Sequence, residues 1–104
     1  MRKMTSEIFC KLAAFAVFWQ ALNVSAYAET GNRTASGVWP VAGVTCAADH
    51  LPFGSRVTLP DGRTWIVQDR FGAGWRDHLD LYMGDEASCW NWGRRFLKCK
   101  IETP

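Results

Sequence analysis

Two aspartates, Asp69 and Asp80, lie eleven positions apart across a loop rich in glycine and charge. Carboxyl groups can cleave a glycosidic bond when one stays protonated and donates its proton to the leaving oxygen, while another group stabilises the positive charge that develops on the sugar ring. Aspartate is also common in turns, where its carboxylate accepts backbone N–H groups. The spacing therefore indicates either an acid–base pair or two turn residues.

The segments after Gly43 are short, rich in β-forming residues and separated by turns, which favours a small barrel or sandwich. Pro60-Asp61-Gly62 predicts a hairpin turn. In the loop between the two aspartates, Gly72 and Gly74 allow backbone angles that other residues resist. The predicted strands are residues 44–48, 56–59, 64–68, 79–83 and 95–101.

A short helix is predicted over residues 86–92, with Asp85 as its N-cap and Gly93 as its stop. On the last strand, apolar and basic residues alternate, so that one face points inward. The inward residues are Leu97, Cys99 and Ile101, and the outward ones are Lys98 and Lys100.

The N-terminal region has the pattern of a secretory signal. An apolar run, Leu12 to Leu22, follows basic residues, and Ala26-Tyr27-Ala28 has the small-x-small form that a signal peptidase accepts. The alternative, a membrane anchor, is disfavoured because about eleven residues at ~1.5 Å each fall short of a ~30 Å hydrocarbon core. The sequence therefore predicts a signal peptide over residues 1–28, a flexible lead-in over 29–42 and one barrel domain over 43–104.

The 104-residue chain has a formal net charge of +2. Removal of residues 1–28 takes away three of the twelve basic side chains and one of the ten acidic ones, so that nine of each remain. No basic excess then argues for nucleic acid or a membrane surface as a partner. We expect a secreted or periplasmic monomer with no cofactor.

Cysteine usage fits an exported domain. Three of the four cysteines, Cys46, Cys89 and Cys99, remain after cleavage of residues 1–28. In an oxidising compartment, either a Cys46–Cys99 or a Cys89–Cys99 disulfide would leave one of these three thiols unpaired. Metal binding is the weaker alternative, because no CxxC or HxxxH spacing occurs and only His50 and His78 could assist. A nucleophilic cysteine is disfavoured because the pattern places no imidazole beside the thiols.

Several motifs occur in one order and resemble a known family. They are Thr34-Ala35-Ser36-Gly37, Ala47-Ala48-Asp49, Leu51-Pro52-Phe53-Gly54, Asp69, Leu79-Asp80-Leu81-Tyr82 and Trp92-Gly93-Arg94-Arg95. The set, over residues 34–101, resembles the three-aspartate (3D) domain, a double-psi β-barrel related to the catalytic part of membrane-bound lytic transglycosylase A. The TASG, LPFG and Asp69-Arg70 elements also resemble rare lipoprotein A. The resemblance implies an all-β fold, a small six-stranded double-psi β-barrel with one short helix.

The resemblance also implies roles for the three aspartates. Asp80 matches the general acid and base, Asp69 its supporting partner and Asp49 the third aspartate. The implied substrate is the glycan strand of peptidoglycan, whose own 6-hydroxyl replaces water as nucleophile and leaves a 1,6-anhydro end. The rival is a barrel that binds glycan without turnover. A third alternative, an inhibitor or interaction protein with a tryptophan surface, has no specific feature behind it.

The sequence departs from the family pattern at two places. The family's DTGG is Asp69-Arg70-Phe71-Gly72 here, which is bulkier and charged. Only His50 separates Asp49 from the LPFG turn, so either Asp49 or His50 is the counterpart of the third site residue. Hydrogen bonding to the turn backbone is the alternative role for both.

Substrate contacts are predicted in the loop between the aspartates. Trp75 is the first choice, because flat rings stack on sugar faces. Arg70 and Arg76 could hold peptide-stem carboxylates through bidentate pairing, or be loop charges that pair with Asp69 and Asp77. The remaining tryptophans near the hairpin and helix are predicted to pack in the core or cap the barrel: Trp65, Trp90 and Trp92.

Overall fold

The computed structural model describes residues 16–104, which form a closed six-stranded barrel with one short helix. Its elements are β1 (Ala16–Ala28), β2 (Thr45–Ala47), β3 (Arg56–Thr58), β4 (Thr64–Asp69), β5 (His78–Gly84), α1 (Glu86–Trp92) and β6 (Arg95–Thr103). The order of the strands around the barrel is β1-β5-β2-β4-β3-β6. The predicted fold class, an all-β six-stranded barrel with one short helix, is confirmed.

Two strand pairs, β1 with β5 and β2 with β4, are parallel, and the other four are antiparallel. The predicted β3–β4 hairpin is confirmed: the Leu59 N–H donates to the Arg63 carbonyl at 3.0 Å, and the Gly62 N–H donates back to Leu59 at 2.9 Å. The hairpin sets the direction of β4, and Asp69 is the last residue of that strand.

Strand alternation separates the core from the surface that carries the aspartates. Leu79 and Leu81 on β5 are fully buried, whereas Asp80 between them points away from the core. The predicted inward positions Cys99 and Ile101 on β6 are likewise fully buried. The core is formed by Leu22, Val24, Cys46, Ala48, Leu51, Val57, Leu59, Trp65, Val67, Leu79, Leu81, Trp92, Cys99 and Ile101.

Helix α1 has the predicted caps. The Asp85 carboxylate accepts the Ser88 N–H at 2.7 Å, and Gly93, with φ of 65°, ends the helix. A left-handed φ of this kind favours glycine because a Cβ is disfavoured there. Within residues 16–104, no helix has the length and apolar character needed to cross a membrane.

Strand β1 differs from the sequence prediction. The sequence assigns Ala16–Ala28 to a cleaved signal and starts the barrel at Gly43, whereas the structure pairs this segment with β5 on one side and β6 on the other. Leu22 and Val24 are essentially completely buried, at 0% and 1% exposure. Leu22 and Val24 thus take inward positions of a strand, whereas Val17, Phe18 and Trp19 of the same apolar segment are 52%, 39% and 61% exposed. The described barrel begins at Ala16. The basic residues of the predicted signal, Arg2, Lys3 and Lys11, lie outside the described residues.

The segment between β1 and β2, predicted as a flexible lead-in, packs on the barrel. Thr34 is buried at 6% exposure and its N–H donates to the Val38 carbonyl at 2.8 Å. The Ser36 N–H donates to the Gln68 carbonyl on β4 at 3.2 Å. These bonds hold the Thr34-Ala35-Ser36-Gly37 turn against the strand that carries Asp69.

The thiols of Cys46, Cys89 and Cys99 are free, so neither predicted disulfide is formed. Two strands separate β2 from β6 whichever way the barrel is followed, so Cys46 and Cys99 lie on opposite sides of it. Burial raises the pKa of Cys46, and burial together with the charge of Asp61 raises that of Cys99 to about 11. Neither buried thiol has the thiolate character of a nucleophile.

Candidate active site

The register of the barrel brings the two aspartates of the sequence motif into one row. Ala47 on β2 pairs with Asp69 on β4 and with Asp80 on β5, and Asp80 pairs with Ser25 on β1. Neighbouring strands lie about 4.8 Å apart, so the Asp69 and Asp80 backbones are separated by roughly 10 Å, the width of two strand spacings. The loop between them carries the chain past β2, which explains how residues eleven positions apart become neighbours.

Asp80 is half-buried and has a raised pKa. Burial is the main cause, because a carboxylate loses hydration there, and the negative charge of Asp69 acts in the same direction. The hydroxyl of Ser25, which donates to Asp80 Oδ1 at 2.8 Å, and the charge of Arg94 partly oppose the rise. A carboxyl group in this environment retains its proton more readily than a solvated one, as a general acid requires.

Asp69 is held by three hydrogen bonds. The Tyr27 hydroxyl donates to Oδ2 at 3.1 Å, and the N–H groups of Ala35 and Arg70 each donate to Oδ1 at 2.9 Å. The Ala35 donor belongs to the turn that precedes β2, which is why the lead-in segment contributes to the site. Both oxygens of Asp69 are therefore fixed in orientation.

Asp49 organises the loop between β4 and β5. Its Oδ1 accepts the N–H groups of Phe71 at 2.7 Å and Gly72 at 3.0 Å, and its Oδ2 accepts those of Ala73, Gly74 and Trp75 at 2.9, 2.7 and 3.3 Å. Partial desolvation opposes ionisation, but the backbone donors outweigh it and lower the pKa of Asp49 to about 2. This is the turn-bonding arrangement that the sequence leaves open for Asp49, and it makes this carboxylate a poor proton donor.

The loop can wrap Asp49 because of its glycines. Gly72 and Gly74 have φ of 80° and 72°, the left-handed values expected from the sequence. Successive N–H groups of such a loop converge on one acceptor, as in an anion-binding nest. Here the anion is the protein's own carboxylate, and the result is a fixed position for Trp75.

His50 links strand β1 to the same loop. Its Nε2 lies 2.9 Å from Gln20 Oε1, and Gln20 Nε2 donates to the Arg76 carbonyl at 2.8 Å. Burial, followed by the charge of Arg76, lowers the pKa of His50. His50 therefore serves as a neutral contact between two segments.

A groove of about 840 Å³ runs along the exposed side of Asp80. Its walls are mainly aromatic and basic, which suits a carbohydrate with anionic substituents. Of the predicted substrate-binding residues, only Trp75 lies in it. The lining is Asn23, Val24, Ser25, Ala26, Phe71, Trp75, His78, Asp80, Cys89, Trp90, Gly93, Arg94, Arg95 and Phe96.

The other predicted contacts lie outside the groove. Arg70 Nη1 donates to the Ala48 carbonyl at 2.8 Å, and its guanidinium lies 3.8 Å from the centroid of Phe53. Arg76 and His50 are likewise absent from the lining. The basic residues that line the groove are Arg94 and Arg95, which follow helix α1. They belong to the Trp92-Gly93-Arg94-Arg95 motif but were not predicted as substrate contacts.

The aromatic walls lie on both sides of the groove. On one side, Trp75 stacks 4.4 Å from His78 and 5.3 Å from Phe71, centroid to centroid. On the other side, Trp90 and Phe96 are 84% and 69% exposed. Flat exposed rings of this kind can pack on the apolar faces of sugars.

The prediction that Trp90 packs in the core or caps the barrel is wrong, because its side chain is 84% exposed, whereas Trp65 and Trp92 are buried as predicted. Trp92 points inward and its Nε1 donates to the Val24 carbonyl at 3.1 Å. Two residues correspond to a rotation of about 200° on a helix. Trp90 therefore lies on the opposite side of α1 from Trp92 and faces solvent.

Strand β1 supplies two side chains of the candidate site that were not predicted from the sequence. Ser25 and Tyr27 lie within or beside the apparent cleavage motif, so a signal interpretation removes them from consideration. The available signal is the alternation of Leu22, Val24 and Ala26, which fits the inward positions of a strand as well as the end of a signal.

Fold and site together define a closed six-stranded β-barrel with a half-buried aspartate on an aromatic groove. No protein-family model and no curated protein matches the chain. Among solved structures, the chain is similar to the crystal structure of MltA from E. coli, with a TM-score of 0.54 and 20% sequence identity over 74% of this chain and 29% of that chain. This likeness shows the fold alone, and the chain spans less than a third of the length of MltA.

Proposed function

We propose that the protein cleaves glycosidic bonds in the glycan strands of peptidoglycan, as a lytic-transglycosylase-like enzyme with Asp80 as general acid and base. The observation that carries the proposal is the half-buried Asp80, whose pKa is raised, on the wall of an aromatic groove. The barrel it shares with MltA supports this assignment, because MltA is the membrane-bound lytic transglycosylase A that the motifs resemble. The related 3D-domain and rare lipoprotein A assignments rest on the motifs.

Asp80 would act twice in the reaction. The protonated carboxyl group first donates its proton to the glycosidic oxygen as the bond to the sugar C1 breaks. The resulting carboxylate then takes the proton of the same sugar's 6-hydroxyl, whose oxygen bonds to C1 and gives a 1,6-anhydro end. One carboxyl group suffices, because it returns to its protonated state at the end of the cycle.

The other two aspartates have supporting roles. Asp69 places a fixed negative group near Asp80, which favours the protonated form of Asp80 before reaction. The same negative group helps to stabilise the positive charge that develops on the sugar. Asp49 holds the loop that carries Trp75 and takes no part in proton transfer.

The substrate class determines where the protein would act. Peptidoglycan lies outside the cytoplasmic membrane, so the proposal places the protein in the cell envelope as a secreted or periplasmic monomer. Its partner is the glycan strand. Arg94, which lines the groove, would face the carboxylates of the peptide stems, whereas Arg95 donates from Nε to the Trp92 carbonyl at 3.1 Å.

A glycan-binding barrel without turnover is the second candidate. It is favoured because the likeness covers 29% of the MltA chain, so the match does not extend to the other elements of that protein. The aromatic groove would serve either function. The two candidates differ in Asp80, which is required for cleavage and not for binding.

The deciding experiment is mass spectrometry of purified peptidoglycan after incubation with the protein. We expect anhydro-muropeptides from the wild type and none from Asp80→Asn, which is nearly isosteric but carries no transferable carboxyl proton. Asp61→Asn is the matched control, since Asp61 lies in an exposed turn outside the groove. Sedimentation of both wild type and Asp80→Asn with intact peptidoglycan, without soluble fragments, would establish the binding barrel instead.

A further inference from the structure

We propose that Ser25, on strand β1, is a positioning residue for Asp80. Its hydroxyl lies 2.8 Å from Asp80 Oδ1, and the two residues are direct partners in the parallel β1–β5 ladder. This inference rests on the proposed role of Asp80 and adds to it a residue outside the three aspartates.

The hydrogen bond gives the two carboxyl oxygens different roles. Ser25 occupies Oδ1 as a donor, and among the described residues no hydrogen bond reaches Oδ2. The proton of the carboxylic acid therefore resides on Oδ2, the oxygen that remains available to a glycosidic oxygen in the groove. Free rotation of the carboxyl group would instead distribute the proton over both oxygens and lower the fraction of productive orientations.

Ser25 is held in place by the backbone pairing of strand β1. The preceding residue, Val24, is buried and pairs with both Leu79 on β5 and Arg95 on β6. Ser25 itself lines the groove beside Asp80. The hydroxyl can also reach the Leu79 carbonyl at 3.5 Å, but the shorter contact is to the carboxyl group.

Ser25 is uncharged at every accessible pH, so its replacement removes a hydrogen bond from Asp80 without removing a charge. The charged and titratable groups near Asp80 come from several elements and are unaltered by the substitution. They are Tyr27 on β1, Cys46 on β2, Asp69 on β4, His78 on β5, Cys89 on α1 and Arg94 before β6.

The test follows the Asp80 carboxyl carbon by ¹³C NMR as a function of pH, in the wild type, Ser25→Ala and Ser25→Thr. A donor to the carboxylate favours the ionised form, so its loss should move the Asp80 midpoint to higher pH, and threonine should return it toward the wild-type position. Ser88→Ala is the matched control, because it removes a similar serine hydroxyl that bonds Asp85 at 2.9 Å and leaves Ser25 intact.

Equal midpoints in wild type and a folded Ser25→Ala would overturn the assignment, as would a Ser25→Thr midpoint as high as that of Ser25→Ala. If alanine prevents folding, Ser25→Cys provides the same comparison with a side chain of similar size and a weak donor.

Activity gives a second readout. Protonated Asp80 is the reactive form, so kcat falls as pH rises through its pKa, and Ser25→Ala should move this alkaline limb to higher pH. We also expect kcat to fall roughly tenfold with little change in KM. If the wild type releases no fragments, the proposed function fails, while the NMR titration still decides whether Ser25 positions Asp80.

Discussion

The hydroxyl of Tyr27 donates a hydrogen bond of 3.1 Å to Asp69, although 42 positions separate the two residues in the chain. The Tyr27 ring packs edge-on against Tyr82 with centroids 5.2 Å apart. Burial is the main cause of the raised pKa of Tyr27, followed by the charge of Asp69 and the hydrogen bond itself. The phenol is thereby kept as a donor, and β1 is coupled to the aspartate at the end of β4.

Tyr27→Phe should destabilise the barrel while retaining the ring. We expect the free energy of unfolding near pH 8 to fall by about 1–2 kcal/mol, because one hydrogen bond to a carboxylate is lost from a partly buried position. Urea unfolding monitored by circular dichroism measures this difference. A loss of less than about 0.3 kcal/mol would contradict a stabilising bond between Tyr27 and Asp69.

The pH dependence of the same pair has a defined sign. The folded-state pKa of Tyr27 lies above its ordinary value of 10.0, so the stabilisation is fully present below pH 10. Above that pH, the unfolded chain loses the Tyr27 proton while the folded chain keeps it, and stability falls as pH rises. The advantage of wild type over Tyr27→Phe should therefore shrink as the pH rises above about 10.

Asp49→Asn should loosen the loop that carries Trp75. An amide has one acceptor oxygen in place of two and brings an NH₂ group toward the backbone donors, so we expect faster amide hydrogen exchange from Phe71 to Trp75. The pKa of Asp49 is lowered to about 2, so its contribution to stability is present above its ordinary value of 3.8 and is lost as pH falls toward 2. The wild-type loop should therefore become more exchangeable, relative to the rest of the barrel, over that acid range.

Asp85→Asn is the control for Asp49, since Asp85 also accepts a backbone N–H, at 2.7 Å from Ser88, but caps the helix. It should leave exchange in the 71–75 loop unchanged. If Asp49→Asn leaves that exchange unchanged as well, the five backbone bonds do not hold the loop, and the fixed position of Trp75 needs another cause.

Trp90→Ala should weaken glycan binding although it removes a residue that contributes nothing to the core. Loss of one aromatic ring from a sugar contact costs about 0.5–1.5 kcal/mol, a fall in affinity of roughly two- to twelvefold. Titration calorimetry with soluble glycan fragments provides the measurement. Trp39→Ala is the matched control, because Trp39 is also exposed, at 56%, and lies outside the groove. Equal affinities for the two variants would remove Trp90 from the binding surface.

Much of the barrel could be predicted from the sequence. Alternation on β6, the Pro60-Asp61-Gly62 turn and the Asp85 and Gly93 caps are local signals, and each gave an element within a few residues of its observed bounds. The motifs also predicted that Asp69 and Asp80 lie close together, because both are at the ends of predicted strands that flank a single loop.

The sixth strand and its side chains could not be obtained in this way. Five strands can be identified after Gly43, whereas Ala16–Ala28 combines a contiguous apolar run, typical of a signal core, with a short alternation at Leu22, Val24 and Ala26, typical of a strand. Whether the segment is a signal or a strand depends on its pairing with β5 and β6, and this long-range pairing cannot be read from the local sequence. The same limit affects Trp90, whose exposure follows from the rotation of α1 against the barrel, and Arg70, whose Nη1 is bound to the Ala48 carbonyl.

The retention of strand β1 is the prediction with the widest consequence. Cleavage after Ala28 would remove Leu22 and Val24 from the core and expose the edges of β5 and β6, which both pair with β1. Two buried side chains of this size contribute about 3–6 kcal/mol, a large part of the roughly 5–15 kcal/mol that stabilises a domain. We therefore expect a variant that begins at Glu29 to lack cooperative unfolding, whereas one that begins at Ala16 folds. Intact mass of the protein recovered from the cell envelope provides the complementary measurement: a chain that retains Ser25 and Tyr27 agrees with the closed barrel, and a folded, active chain that starts at Glu29 would show that the site is built without them.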